Sequence, residues 1–406
     1  MDHALQCPMD LESSQLIMRS LRRHAEISGD SYAPNTWRAL KSDIRLFQAW
    51  CAQQGYRPFP AEPRVVGDFL AAMAAGEAVK TELRDRHGRM RTTELTGMRR
   101  PATIERYLAS IAHFHRAAGL PFDRQHDEIR QRLRGIRRCR GSRQRQAFGL
   151  RWPDLLRLLP PNPGDRPAYA PLWEHLPVGL RGPCKAEVRL EWLTALRARA
   201  LILTAYDTMC RRAELVALRI EHLCRAAEGR AILIAQAKAD PEGQGRYRPL
   251  RPRTVAAIEA WLAAIDWSHR EMLLEQRGRK RSHAAILNAP SVVAQGPLFR
   301  SIHRSGRVRQ SALPASHVPK IIKSLAAAAG FPSEITAGLS GHSTRIGAAQ
   351  DLKLFGASVL ELQFEGGWRD PRMPGRYTQA IDVNRGAMAR MARAQEEQEV
   401  VAGCDR

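Results

Sequence analysis

Between residues 129 and 151 the chain holds nine arginines, at positions 130, 132, 134, 137, 138, 140, 143, 145 and 151, and no carboxylate. So much uncompensated charge cannot enter an apolar core, where a buried cation needs a partner of opposite sign. The run follows a set of helical patterns and precedes the cap-like "WPDLLRLL". It therefore reads as a hinge between two lobes, and as a segment suited to tracking a phosphate backbone. Within it, Arg137, Arg138 and Arg140 are the candidates for DNA contact.

The rest of the chain shares this bias. Sixty-four Lys and Arg against 41 Asp and Glu leave a net charge of +23, which suits a polyanionic partner, nucleic acid being the commonest. No apolar run approaches the roughly 18 residues of a spanning helix, so a non-membrane protein is expected, cytoplasmic and nucleoid-associated. Seven cysteines are scattered without a CxxC pair, which reads as reduced, mostly buried thiols with no disulfide frame or zinc site.

Residues 1–29 show weak periodicity and read as a flexible tail. From 30 to 140 the pattern is a helical bundle. Trp37, Leu40, Ile44, Phe47, Trp50 and Cys51 recur at helical spacing after a cap at Asn35 or Thr36. "EPRVVGDFLAAMAAG", "TIERYLASIAHFHRAAG" and "DEIRQRLRGIRRC" supply three more helices. Between the second and third, "VKTELRDRHGRMRTTEL" alternates as a hairpin would. Residues 141–150 are the basic linker, 151–395 a second domain and 396–406 a C-terminal tail. In the second domain, "RAILIAQAKADPEGQGRYRPL" is the clearest strand–turn–strand signal. Helices are expected near 252–265, near 316–330 and after Gly341. The fold expected is mainly α with a small β-hairpin or sheet.

Breaking a phosphodiester without a metal requires fixed cationic donors for the non-bridging oxygens, an in-line nucleophile and a proton donor for the leaving oxygen. Arginine suits the first task because its fork binds two oxygens and keeps its proton. The chain offers Arg211 and Glu214 in "CRRAEL", Lys238 beyond a strand, His342 and Arg345 in "GHSTR", and Trp368 and Tyr377 in "GGWRDPRMPGRYTQ". Taken singly, each has an ordinary reading as an ion pair, a helix start, a turn lysine or core. Their order does not.

These boxes, with "NTWRALKSDIRLFQAWC", "FPAEPRVVGDFL", "HRAAGLP", "RQAFGL" and "SGHSTRIGAAQDL", resemble the tyrosine recombinase (phage integrase) family over roughly residues 34–393. The resemblance implies a two-domain C-shaped clamp, with an N-terminal SAM-like core-binding bundle and a mixed α/β catalytic domain. It implies that Tyr377 is the nucleophile, forming a 3′-phosphotyrosine, while Arg211 and Arg345 clamp the phosphate. Lys238 would protonate the leaving 5′-oxygen, His342 would exchange a proton near the nucleophile and Trp368 would donate its indole N–H. Glu214 would orient its neighbours. Neither metal nor ATP would be needed. The partners implied are double-stranded DNA and further copies of the chain, as a tetramer exchanging the amphipathic C-terminal stretch 386–394.

In the N-terminal lobe, Thr36, Arg38, Lys41, Arg45, Arg106 and His113 are the candidates for groove or phosphate contact. Three features depart from the family pattern. Trp368 stands where most members have histidine, the hairpin lysine lacks its usual Gly-Lys-Gly setting, and residues 77–100 and 160–185 look like insertions. Three other readings stay open: a DNA-binding accessory protein of the same fold that no longer cleaves, a basic architectural or RNA-binding protein, and a type IB topoisomerase-like relaxing enzyme.

Overall fold

The computed structural model describes residues 11–28, 32–84, 89–141, 146–159, 186–235, 243–276, 278, 295–383 and 386–404. The chain separates into two compact units, Met1–Arg145 and Gln146–Arg406. Residues 146–150, read above as linker, thus belong to the second unit.

The first unit is a helical bundle of α1 (Leu11–Ser28), α2 (Pro34–Gln54), α3 (Pro63–Ala75), α4 (Pro101–Ala117) and α5 (Asp127–Arg140). Residues 11–28, expected to be tail, are helical. Helix α2 starts at Pro34 with Ala33 as its cap residue, not at Asn35 or Thr36. Proline's fixed φ and missing N–H suit the first helical position. Phe47 and Trp50 of α2, Phe69, Leu70 and Met73 of α3, and Ile104 and Ile111 of α4 form one core, closed by Ile129 and Leu133 of α5.

The arginine-rich α5 is held by those two apolar residues. Its ion pairs, Arg130–Asp127, Arg132–Asp68 and Arg137–Glu105, are exposed and worth about 0–1 kcal/mol each. Burying an Ile or Leu side chain contributes about 1.5–3 kcal/mol. Strands β1 (Val79–Arg84) and β2 (Met90–Leu95) form the expected hairpin, with Val79 opposite Leu95.

His115 lies wholly inside this unit. Its Nε2 accepts the N–H of Ala61 at 2.9 Å, so Nδ1 carries the proton donated to the Ile111 carbonyl at 2.8 Å. The ring is neutral, and burial pushes its pKa below the ordinary 6.5 despite the opposing pull of the Ile111 carbonyl.

In the second unit α6 (Trp152–Leu158) and α7 (Ala186–Thr208) precede α8 (Arg212–Ala217). A three-stranded antiparallel sheet follows, ordered β3 (Leu223–Arg225), β4 (Arg230–Ile234) and β5 (Arg246–Leu250). Ile234 of β4 stands opposite Arg246 of β5. Helix α9 (Pro252–Gln276) runs well beyond the expected end near 265. Its Trp261 is fully buried and donates its indole N–H to the Leu298 carbonyl at 2.8 Å. A second antiparallel pair, β6 (Arg300–Ile302) and β7 (Val308–Ala312), leads to α10 (Val318–Ala328) and α11 (Ser333–Gly338). Then come α12 (Ser343–Leu354), α13 (Val359–Gly366), α14 (Arg372–Val383) and α15 (Ala387–Cys404). Helix α15 takes in most of the stretch expected to be C-terminal tail. The insertion at 160–185 lies outside the described residues.

Helix α12 is the hub of this unit, with Ser343 through Gln350 all buried. Its small residues permit close approach. A Cβ on Gly347 would lie 1.7 Å from the Leu150 carbonyl oxygen, so only glycine admits the extended segment that crosses there. That segment is pinned by the Phe148 N–H on the Gly338 carbonyl at 3.1 Å and the Leu150 N–H on the Ser343 carbonyl at 2.9 Å. Asp351, one turn on, accepts from Arg151 Nε at 2.8 Å, the Trp152 N–H at 2.6 Å and the Tyr206 hydroxyl at 2.6 Å. One carboxylate thereby fastens α6, α7 and α12.

Candidate active site

Six of the seven residues singled out for chemistry lie in described parts of the second unit. Lys238 does not, falling in 236–242 between β4 and β5, outside the described residues.

Arg211 is the cap residue of α8 and Glu214 its third helical residue. That spacing lets a carboxylate reach back to the cap N–H. Glu214 accepts the Arg211 backbone N–H at 2.9 Å and its Nη1 at 2.8 Å. Burial, the largest influence on Glu214, resists ionisation. Those hydrogen bonds and the charges of Arg211 and Arg246 outweigh it and hold the carboxyl below its ordinary 4.5.

Just upstream, Met209 is buried with φ of +50°, a left-handed conformation costly for a residue with a Cβ. It turns the Met209 carbonyl to Arg345, which donates Nη1 to it and Nη2 to the Gly366 carbonyl. Those bonds use two of the five N–H donors of Arg345. The side chain is 1% exposed. Burial first, then the like charge of Arg211, lowers its pKa to about 10, with Tyr377 and Glu214 pulling the other way. It remains a cation at neutral pH.

The Arg345 guanidinium lies 4.7 Å from the centre of the Trp368 ring, within cation–π range. On Trp368 the Tyr377 ring stacks, with centroids 5.0 Å apart and planes 21° from parallel. Trp368 therefore meets both the Arg345 cation and the stacked Tyr377 ring. Trp368 is buried and Tyr377 half-buried on α14.

The stack depends on how α13 ends. The Trp368 N–H bonds the Gln363 carbonyl at 3.0 Å and the Gly367 N–H the Phe364 carbonyl at 3.0 Å, with Gly367 left-handed at φ +55°. Arg248 donates to the Phe364 carbonyl at 2.6 Å, the Glu365 carbonyl at 2.7 Å and the Glu365 carboxylate at 2.7 Å. Two arginines from other elements thus satisfy the last carbonyls of the helix, which carry its negative end.

His342 is the cap residue of α12, three before Arg345. It is exposed by surface area, yet crowded. Desolvation, then the cations Arg345, Arg212 and Arg211, lower its pKa from 6.5, with Glu214 opposing. A neutral imidazole near pH 7 can take or give a proton. Cys210, beside Arg211, does not compete as a nucleophile. Burial pushes its thiol up to about 11, which leaves little thiolate.

Sequence reasoning missed Arg246, Arg248, Met209 and Asp351. The signal for the first two was present. In "RYRPL" the residues alternate, so one face carries Arg246, Arg248 and Leu250, and arginine on an inward face calls for a reason.

The candidates in the first unit are placed less uniformly. Thr36, Arg38, Lys41 and Arg45 are exposed along α2, with Arg38 on Asn35 and Lys41 5.8 Å from the Trp37 ring centre. Arg106 is paired with Asp43, whose carboxylate also accepts the Ser110 hydroxyl at 2.7 Å. His113 packs among the rings of His24, Tyr32, Trp37 and Phe114, its Nε2 buried. Both are engaged within the unit, and a short sequence spacing carries no sign of that. Arg137, Arg138 and Arg140 are exposed on α5, Arg137 paired with Glu105 and Arg140 on the Met98 sulfur. Among the described residues no cluster of His, Cys, Asp and Glu could hold a metal ion, and no helix is long and apolar enough to cross a membrane.

Residues 191–383, which contain this whole site, match the Phage integrase family. The chain as a whole resembles tyrosine recombinases of that family. It is similar to recombinase Cre of Escherichia phage P1, 26% identical over 369 residues that cover 89% of this chain and 88% of that protein. It is also similar to an integrase/recombinase XerD homolog of Selenomonas ruminantium, 23% identical over 92% of this chain and 89% of that one. Among solved structures, a XerH site-specific recombinase on its difH substrate aligns at a TM-score of 0.45 and 14% identity, over 81% of this chain and 73% of that one.

Proposed function

We propose that this site-specific DNA recombinase cuts and rejoins duplex DNA through a 3′-phosphotyrosine on Tyr377, needing neither metal nor ATP. The observation that carries the reading is Trp368 meeting both the Arg345 cation and the stacked Tyr377 ring, with the charges of Arg211 and Glu214 near enough to act on that cation. Tyr377 Oη attacks phosphorus, and the bond from phosphorus to the 5′-oxygen breaks. The departing oxygen takes a proton from Lys238, while the tyrosine proton passes toward neutral His342. Arg211 and Arg345 neutralise the charge growing on the non-bridging oxygens, and fixed donors in a dry site are the most effective means of doing so. Trp368 adds its indole N–H and holds the nucleophile's ring. Attack by a partner strand's 5′-hydroxyl reverses each bond change and exchanges strands, the chemistry shared with type IB topoisomerases.

The DNA partner fits the net charge of +23 and the exposed cations of α2 and α5. A tetramer built by exchange of α15 fits the apolar surface left open. Met388 and Met391 of α15 are 72% and 47% exposed, and Phe355, Leu360 and Phe364 around α13 are 91%, 75% and 73% exposed. Large exposed apolar groups of this kind suit an interaction surface.

The test is to enrich duplexes from a randomised library by binding, nick them beside the presumed cleavage point, and look for protein-linked DNA on a denaturing gel. A covalent species formed in EDTA without nucleotide supports the reading, and tight binding without any adduct sinks it.

A further inference from the structure

The inward face of β5 delivers two arginines to the site, and they are not in the same condition. Arg248 has its Nη donors filled by the end of α13. Arg246 has Nε and Nη2 buried with no hydrogen-bond partner among the described residues. Its Nη2 stands 3.6 Å from Glu214 Oε2, an ion pair just beyond hydrogen-bond reach. The other end of the guanidinium occupies space that only glycine leaves open, since a Cβ on Gly367 would lie 1.5 Å from Nη1. Buried donors are nearly always satisfied, and an exception in a folded chain invites a functional reason.

Glu214 supplies one. It is buried, and both its oxygens already accept hydrogen bonds from Arg211. Where the Arg211 fork turns its other N–H donors to a phosphate, Nη1 is drawn off that carboxylate. A buried carboxylate losing its partner either takes a proton or shifts. Arg246 can prevent both by closing on Oε2 by less than about 1 Å, which brings it to ordinary hydrogen-bond length. We infer that Arg246 is a positioning residue of the cleavage step, taking over Glu214 when Arg211 turns to the phosphate. The donors that no described residue fills are the reserve for that exchange. The inference rests on the recombinase reading above.

The test compares covalent adduct formation on a nicked duplex by wild type, Arg246→Lys, Arg246→Gln, Glu214→Gln and the Glu214→Gln/Arg246→Gln double variant. Duplex Kd and melting temperature are measured alongside. Arg246→Gln is expected to slow adduct formation at least about tenfold, with Kd within about twofold. Arg246→Lys keeps the charge and loses the fork, so it falls between wild type and Gln with unchanged melting. It remains decisive if the Gln variant fails to fold. On the Glu214→Gln background, Arg246→Gln should cost nothing more, as two residues acting through one contact do. Lys cleaving as fast as wild type, Lys no faster than Gln, or a full additional loss in the double variant would overturn the inference. If wild type forms no adduct, the recombinase reading itself fails and takes this one with it.

Discussion

Replacing Gly347 by alanine sets two effects of opposite sign against each other. In a helix interior the change should stabilise, since glycine costs about 1 kcal/mol relative to alanine. The packing says otherwise. The added Cβ would sit 1.7 Å from the Leu150 carbonyl oxygen, 2.1 Å from its carbon and 2.7 Å from the Arg151 nitrogen. All three are backbone atoms, so no side chain can swing aside. Segment 146–151 must retreat from α12 by more than about 1 Å, and overpacking of that kind costs about 1–3 kcal/mol. Retreat also lengthens the bonds from Phe148 to Gly338 and from Leu150 to Ser343, each worth about 0.5–1.5 kcal/mol. After the propensity gain is subtracted, the net loss is about 1–5 kcal/mol. Urea denaturation followed by tryptophan fluorescence measures it in the second unit, where Trp152 and Trp261 report. Adduct formation should fall as well, because the same segment holds α14 through Gln146 and the Arg376 carbonyl. Unchanged or raised stability for Gly347→Ala would refute the account of α12 as a close-packed hub.

Three further outcomes are expected. Trp368→Ala removes the ring that meets both Arg345 and Tyr377, and should cost about 3–5 kcal/mol of stability as well as adduct formation. A variant cleaving at the wild-type rate would mean the stack is only packing. The first unit should lose stability below about pH 6.5: the folded pKa of His115 is depressed, so the unfolded chain binds the proton more readily and stability falls as pH drops through that range. His115→Gln should flatten this limb of the pH–stability curve, and an unaltered limb would remove His115 from the account. Duplex affinity should fall linearly in log Kd against log salt, with a slope of about 0.9 per phosphate neutralised; a flat response would argue against phosphate-dominated contact.

How much of this the sequence disclosed depended on the range of each interaction. Helical periodicity carried the bundle, because Phe47, Phe69 and Ile104 are apolar for local reasons that survive in the pattern. The hairpin around β4 and β5 was legible from a turn between two β-rich runs. The His342–Arg345 spacing was legible only in company with Arg211 and Tyr377. What stayed hidden depends on partners far along the chain. Asp351 is an unremarkable helix residue until Arg151, Trp152 and Tyr206 are seen around it. Arg106 reads as a surface cation, and its commitment to Asp43, 63 residues earlier, leaves no local trace. The left-handed Met209 breaks the expectation that glycine occupies such positions, so propensity alone would have missed it. The arginine run is the most instructive case. It begins as helix α5, anchored by Ile129 and Leu133 as its periodicity implied, while residues 146–150 of the expected linker are pinned across α12 by contacts that composition cannot show.

The central claim is that Tyr377 attacks DNA. Its most direct measurement is the mass of the attached residue. Adduct trapped on a nicked duplex is digested with nuclease and protease, and the modified peptide is sequenced by mass spectrometry. The account predicts a nucleotide phosphate on Tyr377, and a Tyr377→Phe variant that binds the duplex normally but forms no adduct. A nucleotide found on another residue, or adduct persisting in Tyr377→Phe, would contradict it.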